Sequence, residues 1–240
     1  MQQAKTTERL PITAAVLAGG RSMRMGVDKT LLDIDGEPLV AHVVDIVSAV
    51  CASTIVVTNR PEALDQAGLP ADVRVFRDEV AYQGPLGGLV TAMGAAAEEW
   101  VLAVAADMPW LEPGVVRALW AARDGADVVM PVSADGPEPL LALYRTAACL
   151  PAAREALASG RRRLVAMLPS LSVVEIPVET LRGVDPELRS LVNINTPEDL
   201  AEVRADAHPP ASADRGREPV RLQVLEVGTR RARGMPVERP

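Results

Sequence analysis

Along the first half of the chain, apolar residues come in short unbroken runs closed by glycine, proline or aspartate. Residues 12–18 form the first run, ending at Gly19-Gly20, and read as a strand buried on both faces of a parallel sheet. A glycine- and arginine-bearing loop through residue 29 follows. Residues 38–50, apolar almost all round and with Pro38 suited to a first turn, predict a helix. Residues 54–58 and 73–77 predict two more strands, which lead into Asn59 and Asp78. Residues 84–88 read as a loop and 89–99 as a helix of small residues. A fourth apolar strand, 100–106, closes at Asp107-Met108-Pro109, after which 113–123 predict a helix and 127–130 a strand. This alternation implies right-handed crossovers and a parallel sheet layered by helices.

The second half is less regular. Residues 140–144 predict a strand and 147–159 a helix, with Gly160 placed as its stop. Residues 171–178 predict another strand. A last helix opens at Asn195, with Thr196 as cap and Pro197 in its first turn. From about residue 206 the composition turns to Pro, Arg, Gly and Glu with one apolar patch at 220–227, which reads as a flexible tail. The expected organisation is an N-terminal extension (1–11), one α/β domain (12–205) and the tail (206–240).

Composition narrows the function. The 240 residues are 48% hydrophobic but only 2% aromatic, so aliphatic side chains must fill the core. So few rings also argue against a single-stranded nucleic-acid binder, which needs stacking platforms. A net charge of −7 favours a small-molecule partner over nucleic acid unless a basic patch exists locally. Cys51 and Cys149 lie far apart with no CxxC, and read as buried hydrophobes of a reducing compartment. With only His42 and His208, histidine-based zinc chemistry is not expected. The polar N-terminus and the short first apolar run predict no signal peptide and no membrane association, hence a cytoplasmic protein.

The local basic patch is the loop after the first run. Gly19 and Gly20 let the backbone approach a ligand closely, and Arg21, Arg24 and Lys29 place three cations beside it. The spacing matches neither the dinucleotide fingerprint nor the Walker pattern. Asp107, at the carboxyl end of its strand, shares the sheet edge at which open α/β folds bind ligands. It suits a Mg²⁺ ion bridging carboxylate and phosphate, or else a cap for the following helix. Asp78 is an acceptor for a base edge or a ribose, and Gly84 to Gly88 are either a backbone-exposing loop or an ordinary glycine turn. Asn193 and Asn195 alternate on an extended segment and so share one side; they suit a metal shell, a second substrate, or plain turn chemistry. Arg161, Arg162 and Arg163 form a solvated face or a grip for an acceptor's phosphate.

In this order the motifs resemble the molybdenum cofactor guanylyltransferases, the MobA-type family. The opening pattern L-A-G-G-x-S-x-R-M-G-x-D-K is matched without a gap over residues 17–29. The resemblance continues through Asn59, Asp78, Gly84-Pro85-Leu86, Asp107-Met108-Pro109, residues 139–144, Gly160 to Arg163, and residues 192–200, covering about 12–204. It implies a three-layer α/β/α, Rossmann-like nucleotidyltransferase domain with a mostly parallel sheet. It implies GTP and molybdopterin as substrates, Mg²⁺ as cofactor, and a place for other cofactor-biosynthesis proteins as partners. Leu17, Ala18, Gly19 and Gly20 would line the nucleotide, with Asn59 and Asp78 fixing the nucleoside. Lys29 would meet the triphosphate, Arg24 the leaving pyrophosphate, and Asp107 the metal and phosphates. Asn193, Asn195 and the three arginines would lie toward the pterin. Glu138, before Pro139, departs from the polar or basic residue expected there. The rivals are a cytidylyltransferase for the same cofactor, where L-A-A-G replaces Leu17-Ala18-Gly19-Gly20, a sugar-phosphate nucleotidyltransferase, and a non-catalytic nucleotide-binding module.

Overall fold

The structure, a computed structural model, describes residues 8–19, 31–34, 37–78, 84–194, 199 and 201. The first apolar run forms β1 (Leu10–Leu17), and β2 (Asp33–Ile34) and β3 (Glu37–Pro38) pair as a short antiparallel ladder. Then follow α1 (Leu39–Ser48), β4 (Cys51–Thr58), β5 (Arg74–Arg77), α2 (Pro85–Ala95) and β6 (Trp100–Ala105). After these come α3 (Pro113–Ala121), β7 (Val128–Ser133), β8 (Gly136–Pro137), β9 (Leu141–Arg145), α4 (Thr146–Ala158) and β10 (Val173–Pro177).

The main sheet runs β10-β7-β9-β6-β1-β4-β5, with β8 paired to β7. β1 lies at its centre, parallel to β4 and to β6, which is why its residues from Ile12 onward are buried on both faces. β9 runs antiparallel to both neighbours, β6 and β7, so the sheet is mixed but mostly parallel.

Strand alternation separates two apolar layers. Ala14 and Val16 of β1 face α1 and α3, against Val40, Val43, Val47, Val115 and Leu119. Ala15 and Leu17 face α2 and α4, against Leu86, Leu89, Ala153 and Ala156. The architecture is therefore three-layered, helices on both sides of the sheet. Few rings enter it: Trp100 meets Trp120 edge-on, with centroids 6.3 Å apart. Fully buried Tyr144 keeps its hydroxyl satisfied by donating to the Pro139 carbonyl at 2.7 Å. Both cysteines are free and buried, as expected from their separation and the lack of a CxxC.

The structure corrects one element. Gly84 to Gly88 are not a loop: Pro85 is the first residue of α2, preceded by Gly84 at φ 73°. Proline's fixed φ suits a first helical turn. A Cβ on Gly88 would lie 3.5 Å from Leu17 Cδ2 and 3.8 Å from Val57 Cγ1, so its glycine allows close helix–sheet approach. The Gly160 stop holds: the Arg161 amide donates to the Ala156 carbonyl at 3.0 Å and the Gly160 amide to Leu157 at 2.9 Å. That pair, with Gly160 at φ 75°, is a Schellman cap. The predicted cap Thr196 and Pro197, and residues 206–240, lie outside the described residues. No described helix is long and apolar enough to cross a membrane.

Candidate active site

Parallel pairing levels the ends of four strands. Leu17 is the register partner of both Val57 and Ala105, and Thr58 pairs with Arg77. Leu17-Ala18-Gly19, Asn59, Asp78 and Asp107 therefore leave the sheet along one line. Backbone bonds hold that line: Ala18 N–H donates to Val57 O at 2.8 Å, Ala106 to Leu17 O at 3.2 Å, and Asp78 to Thr58 O at 2.9 Å.

Within it the residues differ in what they present. Leu17 turns its side chain into the α2 layer, and Gly19 is the first exposed position. An ideal Cβ on Gly19 would lie 3.4 Å from Asn59 Nδ2, so the glycine backbone and this amide share one small space. The Asn59 carbonyl accepts from Arg77 Nη1 at 2.7 Å, and Arg77 also pairs with Glu62 at 2.8 Å. Asp78 is buried, and Thr91 of α2 donates to its Oδ1 at 3.3 Å. Its carboxylate is thereby tied to the helix whose N-terminus opens on the same edge.

Asp107 is half-buried. The helix-cap reading of it fails, because α3 begins at Pro113 with Glu112 as the N-cap residue. Instead the Asp107 carbonyl accepts from Ile194 N–H at 2.9 Å. That bond brings Asn193, next to fully buried Ile194, to the Asp107 turn. Among the described residues no group of three or more His, Cys, Asp or Glu could hold a metal. Asp107 is a hard oxygen donor, the ligand chemistry that suits Mg²⁺ rather than zinc with its preference for thiolate and imidazole.

The three arginines reach the same edge from α4. All are exposed, and Arg161 Nη1 donates to the Ala166 carbonyl at 3.3 Å. The Arg162 carbonyl accepts from Leu86 N–H at 3.4 Å, so this segment lies against the start of α2. Two motifs separated widely in sequence, Gly84-Pro85-Leu86 and Arg161-Arg162-Arg163, are one place in the fold. Glu138 also lies on this side, its Oε1 3.3 Å from Ser133 Oγ beside the start of β9. Gly20, Arg24, Lys29 and Asn195 lie outside the described residues.

Sequence reasoning did not single out the groups that pin the Asp107 turn. His42 Nε2 lies 3.1 Å from the Pro109 carbonyl. Ser190 Oγ accepts from Glu112 N–H at 2.9 Å, and the Arg189 guanidinium stacks 4.4 Å over the Trp110 ring. Buried Asp185 accepts from the Arg189 and Ser190 amides at 3.0 and 2.8 Å, fixing that strap. The Asp185-Pro186 pair was a readable turn signal. His42 carried none, because its partner is a backbone carbonyl.

The model of the MobA-like NTP transferase domain matches residues 14–208. A probable molybdenum cofactor guanylyltransferase from Nostoc sp. is 39% identical over 201 residues, covering 81% of this chain and 91% of that protein. The molybdenum cofactor guanylyltransferase of Desulfosudis oleivorans is 35% identical, covering 81% and 95%. Among solved structures, molybdopterin-guanine dinucleotide biosynthesis protein A from Archaeoglobus fulgidus superposes with a TM-score of 0.69 at 31% identity, covering 81% of this chain and 98% of that one.

Proposed function

The chain belongs to the family of MobA-like NTP transferase domains, and on that premise we propose that it transfers GMP from GTP to the phosphate of molybdenum-loaded molybdopterin. The products are molybdopterin guanine dinucleotide and pyrophosphate. The observation that carries this reading is the levelled strand edge, which puts Gly19, Asn59, Asp78 and Asp107 on one line. The activity named for its relatives at 35–39% identity supports the choice of substrates.

On this reading the terminal phosphate of molybdopterin attacks the α-phosphorus of GTP in line. A new P–O bond forms, the bond to the bridging oxygen of the β-phosphate breaks, and pyrophosphate leaves with that electron pair. A phosphate monoester is already an anionic nucleophile near neutral pH, so positioning and charge neutralisation carry the reaction and no strong base is needed. Asp107 would hold Mg²⁺, which when bound would supply charge neutralisation to the reacting phosphates. The exposed backbone at Gly19, with Asn59 and Asp78, holds the nucleoside. Lys29 meets the triphosphate and Arg24 the departing pyrophosphate. Asn193, Asn195 and the three arginines receive the pterin's phosphate side, the arginines as fork-shaped donors suited to phosphate oxygens.

The test supplies molybdenum-loaded molybdopterin, Mg²⁺ and α-labelled GTP or CTP. Label from GTP alone is expected. Label from CTP alone would keep the reaction class and overturn the base assignment that rests on Gly19-Gly20. Transfer from neither, with folded protein, would sink the enzyme reading in favour of a nucleotide-binding module.

A further inference from the structure

We propose that His42 is a positioning residue for the Asp107 turn, acting through its hydrogen bond to the Pro109 carbonyl. The inference rests on the reading of Asp107 as the metal-holding carboxylate. Residues 107–109 belong to neither β6 nor α3, so no helix or strand ladder sets their backbone. Two carbonyls flanking Met108 are held from outside the turn. The Asp107 carbonyl accepts from Ile194 N–H at 2.9 Å, and the Pro109 carbonyl accepts from His42 Nε2 at 3.1 Å. Between them, Met108 drives its side chain into the core, leaving only 4% of its surface exposed.

A carbonyl can only accept, so His42 must carry a proton on Nε2. That orients the ring across the gap between α1 and the turn. α1 itself is fixed by Val40, Val43, Val44 and Val47, all fully buried against the sheet. His42 therefore transmits the position of a rigid helix to the residue two beyond Asp107. Pro109 is itself buried and the bond is part-buried, so without the imidazole its carbonyl loses a protein partner. A carboxylate on a loosened turn stays present but misplaced, and misplacement by a fraction of an ångström lowers transition-state stabilisation more than ground-state binding.

The substitution His42→Leu removes the donor at similar bulk. His42→Gln restores an N–H near the Nε2 position. His42→Asn keeps a polar amide that is too short to reach. We expect Leu and Asn to lower kcat about tenfold, the equivalent of about 1.4 kcal/mol, while the KM for GTP stays within about twofold. We expect Gln to recover most of the loss. A second readout uses Mn²⁺ as probe: its affinity for the protein–GTP complex, followed by paramagnetic resonance, should fall in Leu and Asn and recover in Gln. If His42→Leu does not fold, the Asn and Gln pair carries the test alone. Unchanged kcat and Mn²⁺ affinity in the folded variants without the donor would overturn the proposal. So would equal losses in Gln, which would make His42 a space-filling residue. Asp107→Asn, assayed alongside, separates the two levels. If it retains turnover, the reading of Asp107 has failed; if it abolishes turnover while His42→Leu is unaffected, only the positioning role has failed.

Discussion

Replacing Gly84 by alanine tests whether the start of α2 and the arginine segment are one rigid unit. Gly84 sits at φ 73°, ψ −171°, a region reached almost only by glycine, and forcing another residue there costs about 1–3 kcal/mol. A Cβ built there would also stand 3.1 Å from the Arg162 backbone carbonyl oxygen, closer than most carbon–oxygen contacts tolerate. Relief requires the Arg161-Arg162-Arg163 segment to move away, stretching the Leu86 N–H to Arg162 O bond, already 3.4 Å. The sum is a loss of about 3 kcal/mol, or a fall in Tm of roughly 6–12 °C for a domain of this size. Gly160→Ala is the control. It shares a positive φ of 75° but has nothing within 4 Å of its Cβ, so it should cost only about 1 kcal/mol. Urea unfolding of the two variants, with m-values compared, measures the difference directly. A Gly84→Ala loss no larger than that of Gly160→Ala would refute the packing of Arg162 against α2. The same displacement should raise the KM for the phosphorylated acceptor more than that for GTP.

Three further outcomes follow from particular contacts. A Cβ at Gly114 would lie 2.9 Å from Val184 Cβ, so Gly114→Ala should destabilise by about 1–2 kcal/mol despite better helix propensity. Val184→Gly should rescue it in a double-mutant cycle, and an additive cycle would contradict the contact. Burial pushes the Cys51 and Cys149 thiols up to about 12 from the ordinary 9.0, against the weaker pull of nearby arginines. Folding disfavours both thiolates, so the stability they contribute is whole below about pH 9 and is lost as pH rises toward 12. Unfolding midpoints should fall across that window, and both thiols should resist iodoacetamide at pH 8 until the chain unfolds; rapid native-state labelling would contradict their burial. Chelation with EDTA should stop GMP transfer without moving the Tm of the nucleotide-free protein, because no described carboxylate cluster holds a structural ion. A lower Tm in EDTA would show a metal site built by the protein alone.

Much of the candidate site is legible in the chain itself. An apolar run ending in Gly19, a β-rich run ending in Asn59, another ending in Asp78 and a fourth ending in Asp107 announce four strand ends, each carrying a ligand-capable group. In β1, β4 and β6 burial on both faces leaves few polar positions, so their pattern is short-range and readable. The Gly160 stop is equally local, since a helix cap uses only the residues of its own last turn.

The chain order does not give neighbourhood. Local pattern says that residues 84–88 are glycine-rich, but only packing shows that Gly88 lies under Leu17 and Val57, inside a helix rather than a loop. Nothing in residues 141–145 distinguishes an antiparallel strand between β6 and β7 from one more parallel strand, because either buries the same side chains. The bonds from His42 to Pro109, Ile194 to Asp107 and Leu86 to Arg162 end on backbone carbonyls, which every residue has. Such acceptors leave no trace in residue identity. Sequence therefore named the groups at the edge, and long-range pairing through anonymous backbone atoms set how firmly each is held.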